Sequence, residues 1–176
     1  YDILRHIYQF HAEVIGFSCY IWNIEMTCRI ITLIRQVMPH VRIFVGGPEV
    51  SYTARDVLAD HPDIDYVLQG EGEVIVPAFL QALDDGTDIP GVLGRVAGEI
   101  RGNETFAEVA DLDTLPFPYE GEDFSKLAHK IIYYESSRGC PFHCQYCLSG
   151  MSDAVRFRSV PLVLSELEQF VAAGVH

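Results

Sequence analysis

Three cysteines offer the clearest chemistry in this chain. They stand in Gly139-Cys140-Pro141-Phe142-His143-Cys144-Gln145-Tyr146-Cys147, with three residues between the first two and two between the last. Thiolates are soft ligands, and three on one loop suit a cubane of iron and sulfide, which takes four ligands in all. Three protein ligands leave one iron open, and an open iron can chelate a small molecule where a structural cluster cannot. Zinc is the competing metal, but structural zinc wants four ligands and favours two-residue gaps in both halves. His143, wedged between two of the cysteines, is poorly placed to be the fourth. A disulfide with one free thiol is a further alternative. Cys19 and Cys28 bring the total to an odd five and read as small buried hydrophobes. Such a count does not look like a secreted disulfide framework; metal ligation in a reducing cytoplasm fits better.

Two elements must hold that loop. The apolar run Ile131-Ile132-Tyr133-Tyr134 predicts a strand leading into it. Behind it, Ser159 is placed to cap a helix with Val160, Val163, Leu164, Leu167, Phe170 and Val171 as its buried stripe and Gly174 as its stop. Strand, ligand loop and helix make the first βα unit of something larger. Arg138, Arg156 and Arg158 surround the loop, either to steady negative charge or as ordinary ion pairs in a very acidic chain.

Upstream, residues 1–83 alternate short apolar runs with amphipathic helices. Strands are predicted around 12–18, 41–45 and 65–68. One helix starts at Asn23 as cap, carries Met26, Ile30, Ile34 and Val37 on its apolar face, and ends at Met38-Pro39. Further helices are expected over 53–60 and 74–83. Strands and helices in alternation imply βαβ units and a doubly wound parallel sheet, an α/β fold with ligands bound beyond the carboxyl ends of the strands. Those ends are Ser18-Cys19-Tyr20, Gly46-Gly47-Pro48-Glu49 and Gly70-Glu71-Gly72-Glu73. Glycines there let backbone approach a large flat ligand, and Ser18 can hydrogen-bond part of it. Glu71 and Glu73 also suit a helix N-terminus without any ligand. The domains expected are 1–90 for this sheet, with a leading strand missing, 91–125 for a small hairpin and an acidic, Pro-containing linker, and 126–176 for the cysteine unit.

Composition narrows the classes. The 176 residues are 49% hydrophobic, and 25 Asp and Glu against 12 Lys and Arg give a net charge of −13. That sign argues against sequence-independent binding to nucleic acid or anionic lipid. No apolar run approaches the roughly 20 residues of a membrane helix. The start lacks Met and any signal-peptide layout, so a piece of a longer cytoplasmic polypeptide is expected.

The segment Arg138–Cys147, with an aromatic just before its last cysteine, closely resembles the signature of radical S-adenosylmethionine enzymes. The resemblance implies that Cys140, Cys144 and Cys147 hold a [4Fe–4S] cluster whose open iron binds the amino and carboxylate groups of S-adenosylmethionine. One electron, from a flavodoxin or ferredoxin as reducing partner, then yields methionine and a 5′-deoxyadenosyl radical. Tyr146 is implied beside the adenine, and the fold implied is a partial parallel (βα) barrel of which this chain holds the opening. A second resemblance rests on Ile15–Ser18, Val45–Glu49 and Tyr66–Glu73, which look like the cobalamin-binding domain that precedes many such barrels. It implies cobalamin contacts at Ser18, Gly46, Gly47, Gly70 and Glu71. The Asp-x-His-x-x-Gly loop that supplies a lower axial histidine in other cobalamin proteins is not found here.

Proteins with this pairing include methyltransferases acting on unactivated carbons and oxygen-independent Mg-protoporphyrin monomethyl ester cyclases. The expected function is therefore radical chemistry on a small-molecule substrate, by methyl transfer or ring closure, with the isolated piece inactive. Two alternatives stay open: a non-catalytic cobalamin- or metal-binding module, and a radical tRNA methylthiotransferase. The latter calls for three further cluster cysteines in the first domain, where only Cys19 and Cys28 occur.

Overall fold

Apolar runs of three to five residues separated by helices become a parallel sheet when each helix covers the strands it connects. The computed structural model, which describes residues 2–83, 89–127, 130–142, 144–148 and 154–175, has this form in the first of its two compact units, Tyr1–Glu108 and Val109–His176. Helix α1 (Asp2–Gln9) precedes β1 (Val14–Ser18), α2 (Ile24–Val37), β2 (Arg42–Gly46), the short α3 (Pro48–Ser51) and α4 (Ala54–Asp60). Then come β3 (Tyr66–Leu68), α5 (Gly72–Ala82), β4 (Val92–Val96) and β5 (Glu99–Gly102). Strands β1, β2 and β3 lie side by side and parallel, with Ser18 opposite Gly46 and Gly46 opposite Leu68.

The two-residue period of the strands sorts their side chains onto two faces. Ile43, Val45, Val67 and Leu93 meet Ile31, Ile34, Val50 and Leu58 from α2, α3 and α4 on one face. Phe44, Tyr66, Leu68 and Val92 meet Ile75 and Phe79 of α5 on the other. The sheet is thus covered from both sides, as a doubly wound fold requires. Away from the ligand edge, Arg35 of α2 staples the strands by donating to the carbonyls of Val41 (2.7 Å) and Asp63 (2.7 Å) and to the Asp65 carboxylate (2.8 Å). Among the described residues, no helix is long and apolar enough to cross a membrane.

Three expectations for this unit need revision. The hairpin of β4 and β5 does not stand apart with the linker: β4 pairs antiparallel with β3, Leu68 opposite Val92, and extends the sheet to five strands. Asn23 precedes α2 but does not cap it through its side chain. Its amide instead spans the preceding loop, accepting from the Tyr20 N–H (2.7 Å) and donating to the Ser18 carbonyl (2.9 Å). On α2 the buried face is Thr27, Ile31 and Ile34, while Met26 and Val37 are exposed. Of the expected face, Ile34 is buried and Ile30 packs against the core, while Thr27 and Ile31 take the inward places expected of Met26 and Val37.

The second unit is organised by aromatic packing. Phe170 of α6 (Val160–Ala172) stands edge-on to Phe117, Tyr119 and Phe124 at ring separations of 5.5, 5.1 and 5.5 Å. Residues 111–123 are therefore more than an extended linker: Leu112 is buried in a 3-10 turn, and the aromatic residues that follow form the core. Among the described residues the expected strand over 131–134 has no ladder partner; the Tyr119 hydroxyl instead donates to the Tyr133 carbonyl and accepts from its N–H. The ladder forms just beyond, where β6 (Ser137–Arg138) pairs antiparallel with β7 (Arg156–Phe157). On α6 the buried residues are Glu166 and Phe170, with Val160, Leu164 and Val171 exposed. Of the expected stripe, Phe170 is buried as expected, and a charge takes the inward place beside it. Glu166 pairs with Arg158 at 2.8 Å, both about 5% exposed, and accepts from the Tyr134 hydroxyl at 2.5 Å. Ser159 begins α6 without a side-chain cap; its N–H donates to Asp113 (2.7 Å).

Candidate cofactor sites

The carboxyl ends of β1, β2 and β3 open onto a groove of about 500 Å³ between the sheet and α5. Ser18, Gly46, Gly47 and Gly70, four residues expected at a ligand edge, line it. The period of the strands adds Gly16, two residues before Ser18, and Phe44, two before Gly46. Leu68, Ile75 and Val76 close the α5 side, and Tyr20, stacked on Trp22 at 4.6 Å, stands at the β1 end. The sequence reading missed Phe44 and Gly16 because it attended to strand ends; stepping back by two along each strand finds both.

Not every glycine here is free to serve a ligand. Gly47 has φ +102°, and a Cβ there would lie 2.7 Å from the Cys19 carbonyl oxygen. Gly70 has φ +110°, and its Cβ would lie 2.3 Å from the Ala107 carbonyl oxygen. Both positions are fixed as glycine by backbone crossing behind them, whatever occupies the groove. Glu71 is not among the groove-lining residues; it is the residue before α5, and its N–H donates to the Ala107 carbonyl at 2.7 Å. Cys19 is fully buried, and burial pushes its thiol up to about 11, with Cys28 and Glu49 adding to the shift. Burial likewise raises the Cys28 thiol. Cys19 packs in the core as expected, whereas Cys28 is half-buried, with its sulfur 3.9 Å from Nε2 of His61.

The cysteine loop of the second unit is bracketed by β6 on entry and β7 on return. Ser137 faces Phe157 and Arg138 faces Arg156, so the chain leaves and re-enters through one short ladder. The Arg158 N–H continues it to the Ser136 carbonyl (2.9 Å). The three arginines have structural partners. Arg138 pairs with Glu135 at 2.7 Å, Arg156 donates to the Val109 carbonyl, and Arg158 donates to Glu166 and to the Leu115 carbonyl (2.9 Å). Cys140 is half-buried, Cys144 and Cys147 are exposed, and Tyr146 is 93% exposed. Among the described residues, no three His, Cys, Asp or Glu side chains converge as a metal site. His143 lies outside the described residues.

Residues 1–80 match the B12 binding domain family. Across 175 aligned residues the chain is 27% identical to an uncharacterized methyltransferase of Pyrococcus horikoshii, covering 94% of this chain and 38% of that protein. The chain belongs to the cobalamin-binding-domain-containing radical S-adenosylmethionine proteins. It is 29% identical over 178 residues to the cobalamin-dependent radical SAM methyltransferase TokK of Streptomyces tokunonensis, covering 93% of this chain and 26% of that one. It is 30% identical over 129 residues to the anaerobic magnesium-protoporphyrin IX monomethyl ester cyclase of a Synechocystis strain, covering 69% and 26%. The chain thus spans between about a quarter and two fifths of the length of these relatives.

Both donor sets suit the groups this family uses. The groove is glycine-floored and largely apolar, with the hydroxyl residues Ser18 and Tyr20, which fits a flat heteroaromatic ligand and supplies no charged partner among the residues that line it. Cys140, Cys144 and Cys147 are free thiols on one loop, the soft donor set that iron and sulfide take.

Proposed function

We propose that this chain carries the cofactor-binding part of a radical S-adenosylmethionine enzyme that also uses cobalamin. The observation that carries the reading is the Cys-x3-Cys-x2-Cys loop pinned at both ends by the β6–β7 ladder, in a chain whose other unit is a B12-type domain. Cys140, Cys144 and Cys147 would hold a [4Fe–4S] cluster, and three protein thiolates would leave it room to take S-adenosylmethionine as a further ligand. Tyr146, fully solvent-facing beside Cys147, is available to the adenine. When bound, the cluster supplies the electron that splits S-adenosylmethionine into methionine and a 5′-deoxyadenosyl radical.

In the first unit the groove floored by Gly16, Gly46 and Gly70 takes the corrinoid, with Ser18 as its hydrogen-bonding hydroxyl. The reaction class that follows is methyl transfer to an unactivated carbon, or ring closure, on a small-molecule substrate. A flavodoxin- or ferredoxin-type protein supplies the electron. The relatives support both branches, since methyltransferases and cyclases occur among them.

Anaerobic reconstitution with iron and sulfide tests the metal half. The expected product is brown, with close to four irons per chain, and Cys144→Ala loses most of that iron while keeping the fold. A colourless protein that holds one zinc and refuses iron contradicts the reading.

A further inference from the structure

We propose that Phe44 is the stacking platform for the heteroaromatic base of the corrinoid's nucleotide tail, and that it sets the groove's preference for corrinoids that carry such a base. The proposal rests on the cobalamin reading above and deepens it. Phe44 and Gly16 are partners across the β1–β2 ladder. A Cβ built on Gly16 would lie 2.2 Å from Cζ of the Phe44 ring and 2.6 and 2.7 Å from Cε2 and Cε1. A point in the ring plane beyond Cζ would be much farther from the two Cε atoms. These three near-equal distances belong to a point above the face, so the ring lies flat on β1 over the glycine.

Phe79 meets the ring edge-on at 5.4 Å and fixes its rotation from the α5 side. Phe44 nevertheless remains half-buried and lines the groove, so surface of a ring held flat is offered to whatever enters. An aromatic plate over glycine also stabilises a sheet by itself. The groove adds what sheet stability does not need: Phe44 is among the residues that line it, and Ser18 stands on the same face of β1 as Gly16. A flat plate, an apolar surround and the hydroxyl residues Ser18 and Tyr20 match a neutral heteroaromatic base better than the amide-fringed corrin ring.

The test compares two probes on the whole chain, hydroxocobalamin and cobinamide, the same corrin ring without the nucleotide. Binding is followed by absorbance. The wild-type chain is expected to prefer hydroxocobalamin. Phe44→Leu and Phe44→Ala are expected to weaken hydroxocobalamin by roughly 10-fold or more, the effect of losing one aromatic stacking partner, with cobinamide binding unchanged. Phe44→Tyr restores the preference. Gly16→Ala, which keeps the phenylalanine but displaces its ring, weakens hydroxocobalamin in the same selective way. Phe44 variants that keep the full preference overturn the platform, as do folded variants (unchanged circular dichroism) that lose both probes alike. A wild-type chain that binds both probes equally also overturns it, and leaves cobalamin binding intact. Binding of neither probe overturns the cobalamin reading and the platform with it.

Discussion

At the scale of single residues, the five thiols divide by environment. Cys19 is fully buried in the core and has a thiol pushed up to about 11, so at pH 8 it is protonated and shielded. Cys144 and Cys147 are exposed. Brief treatment of the native chain with iodoacetamide at pH 8 should therefore label Cys144 and Cys147 and spare Cys19, read by peptide mass spectrometry; modification of Cys19 at a similar rate contradicts its burial. Gly70 makes a different prediction. Its positive φ and the Ala107 backbone behind it leave no place for a methyl group, so Gly70→Ala should cost about 2–4 kcal/mol in urea unfolding of the first unit. A loss under about 0.5 kcal/mol, an ordinary surface value, contradicts that packing. The sequence marked Gly70 as a ligand residue, and a glycine after a strand does invite that. What fixes it as glycine is a segment 37 positions downstream, and no local pattern records such a crossing.

At the scale of elements, strand positions were legible because β1, β2 and β3 are short apolar runs bounded by Gly, Pro and Asp, and the parallel order followed from the helices between them. Helix faces were less legible. On α6 six apolar residues were assigned inward, of which Phe170 is buried, yet the helix also buries Glu166, whose partner Arg158 lies eight residues away and whose second partner, Tyr134, precedes the cysteine loop. Burial and that carboxylate together push the Tyr134 hydroxyl up to about 12, so it stays a donor across the working pH range. Pattern reading cannot foresee a buried ion pair, since charge is its signal for solvent. Glu166→Ala leaves Arg158 buried without its counter-charge and should destabilise the second unit by about 3–5 kcal/mol. Thermal unfolding followed by near-ultraviolet circular dichroism of its tyrosines checks this; a change within about 0.5 kcal/mol contradicts the burial.

Asp113 tests the start of α6. The Ser159 N–H, the hydroxyl of the same residue and Arg158 hold its carboxyl below the usual carboxylate range. Its contribution is therefore complete above the ordinary carboxylate pKa and is lost as pH falls through the depressed one. Asp113→Asn should remove part of the acid-induced loss of stability without changing behaviour at neutral pH beyond a small uniform offset. An unaltered acid transition in the variant contradicts the Asp113–Ser159 contact.

At the scale of the whole molecule, two units carry two different kinds of donor. One presents glycines and an aromatic plate at the end of a sheet, and the other presents three thiols on a loop closed by a two-residue ladder. The cysteine spacing alone made the second legible, because few chemistries use three cysteines so placed. The first was legible as a ligand edge but not as a groove, since its floor depends on which residues share a sheet face. The central claim is that the thiol loop serves S-adenosylmethionine and is not merely structural. It is tested most directly by electron paramagnetic resonance of the anaerobically reconstituted, reduced chain before and after S-adenosylmethionine is added. The account predicts a reduced [4Fe–4S] signal whose g-values change on addition, as the sulfonium cofactor takes the open iron. A cluster signal that S-adenosylmethionine leaves unmoved, or no iron signal at all, contradicts it.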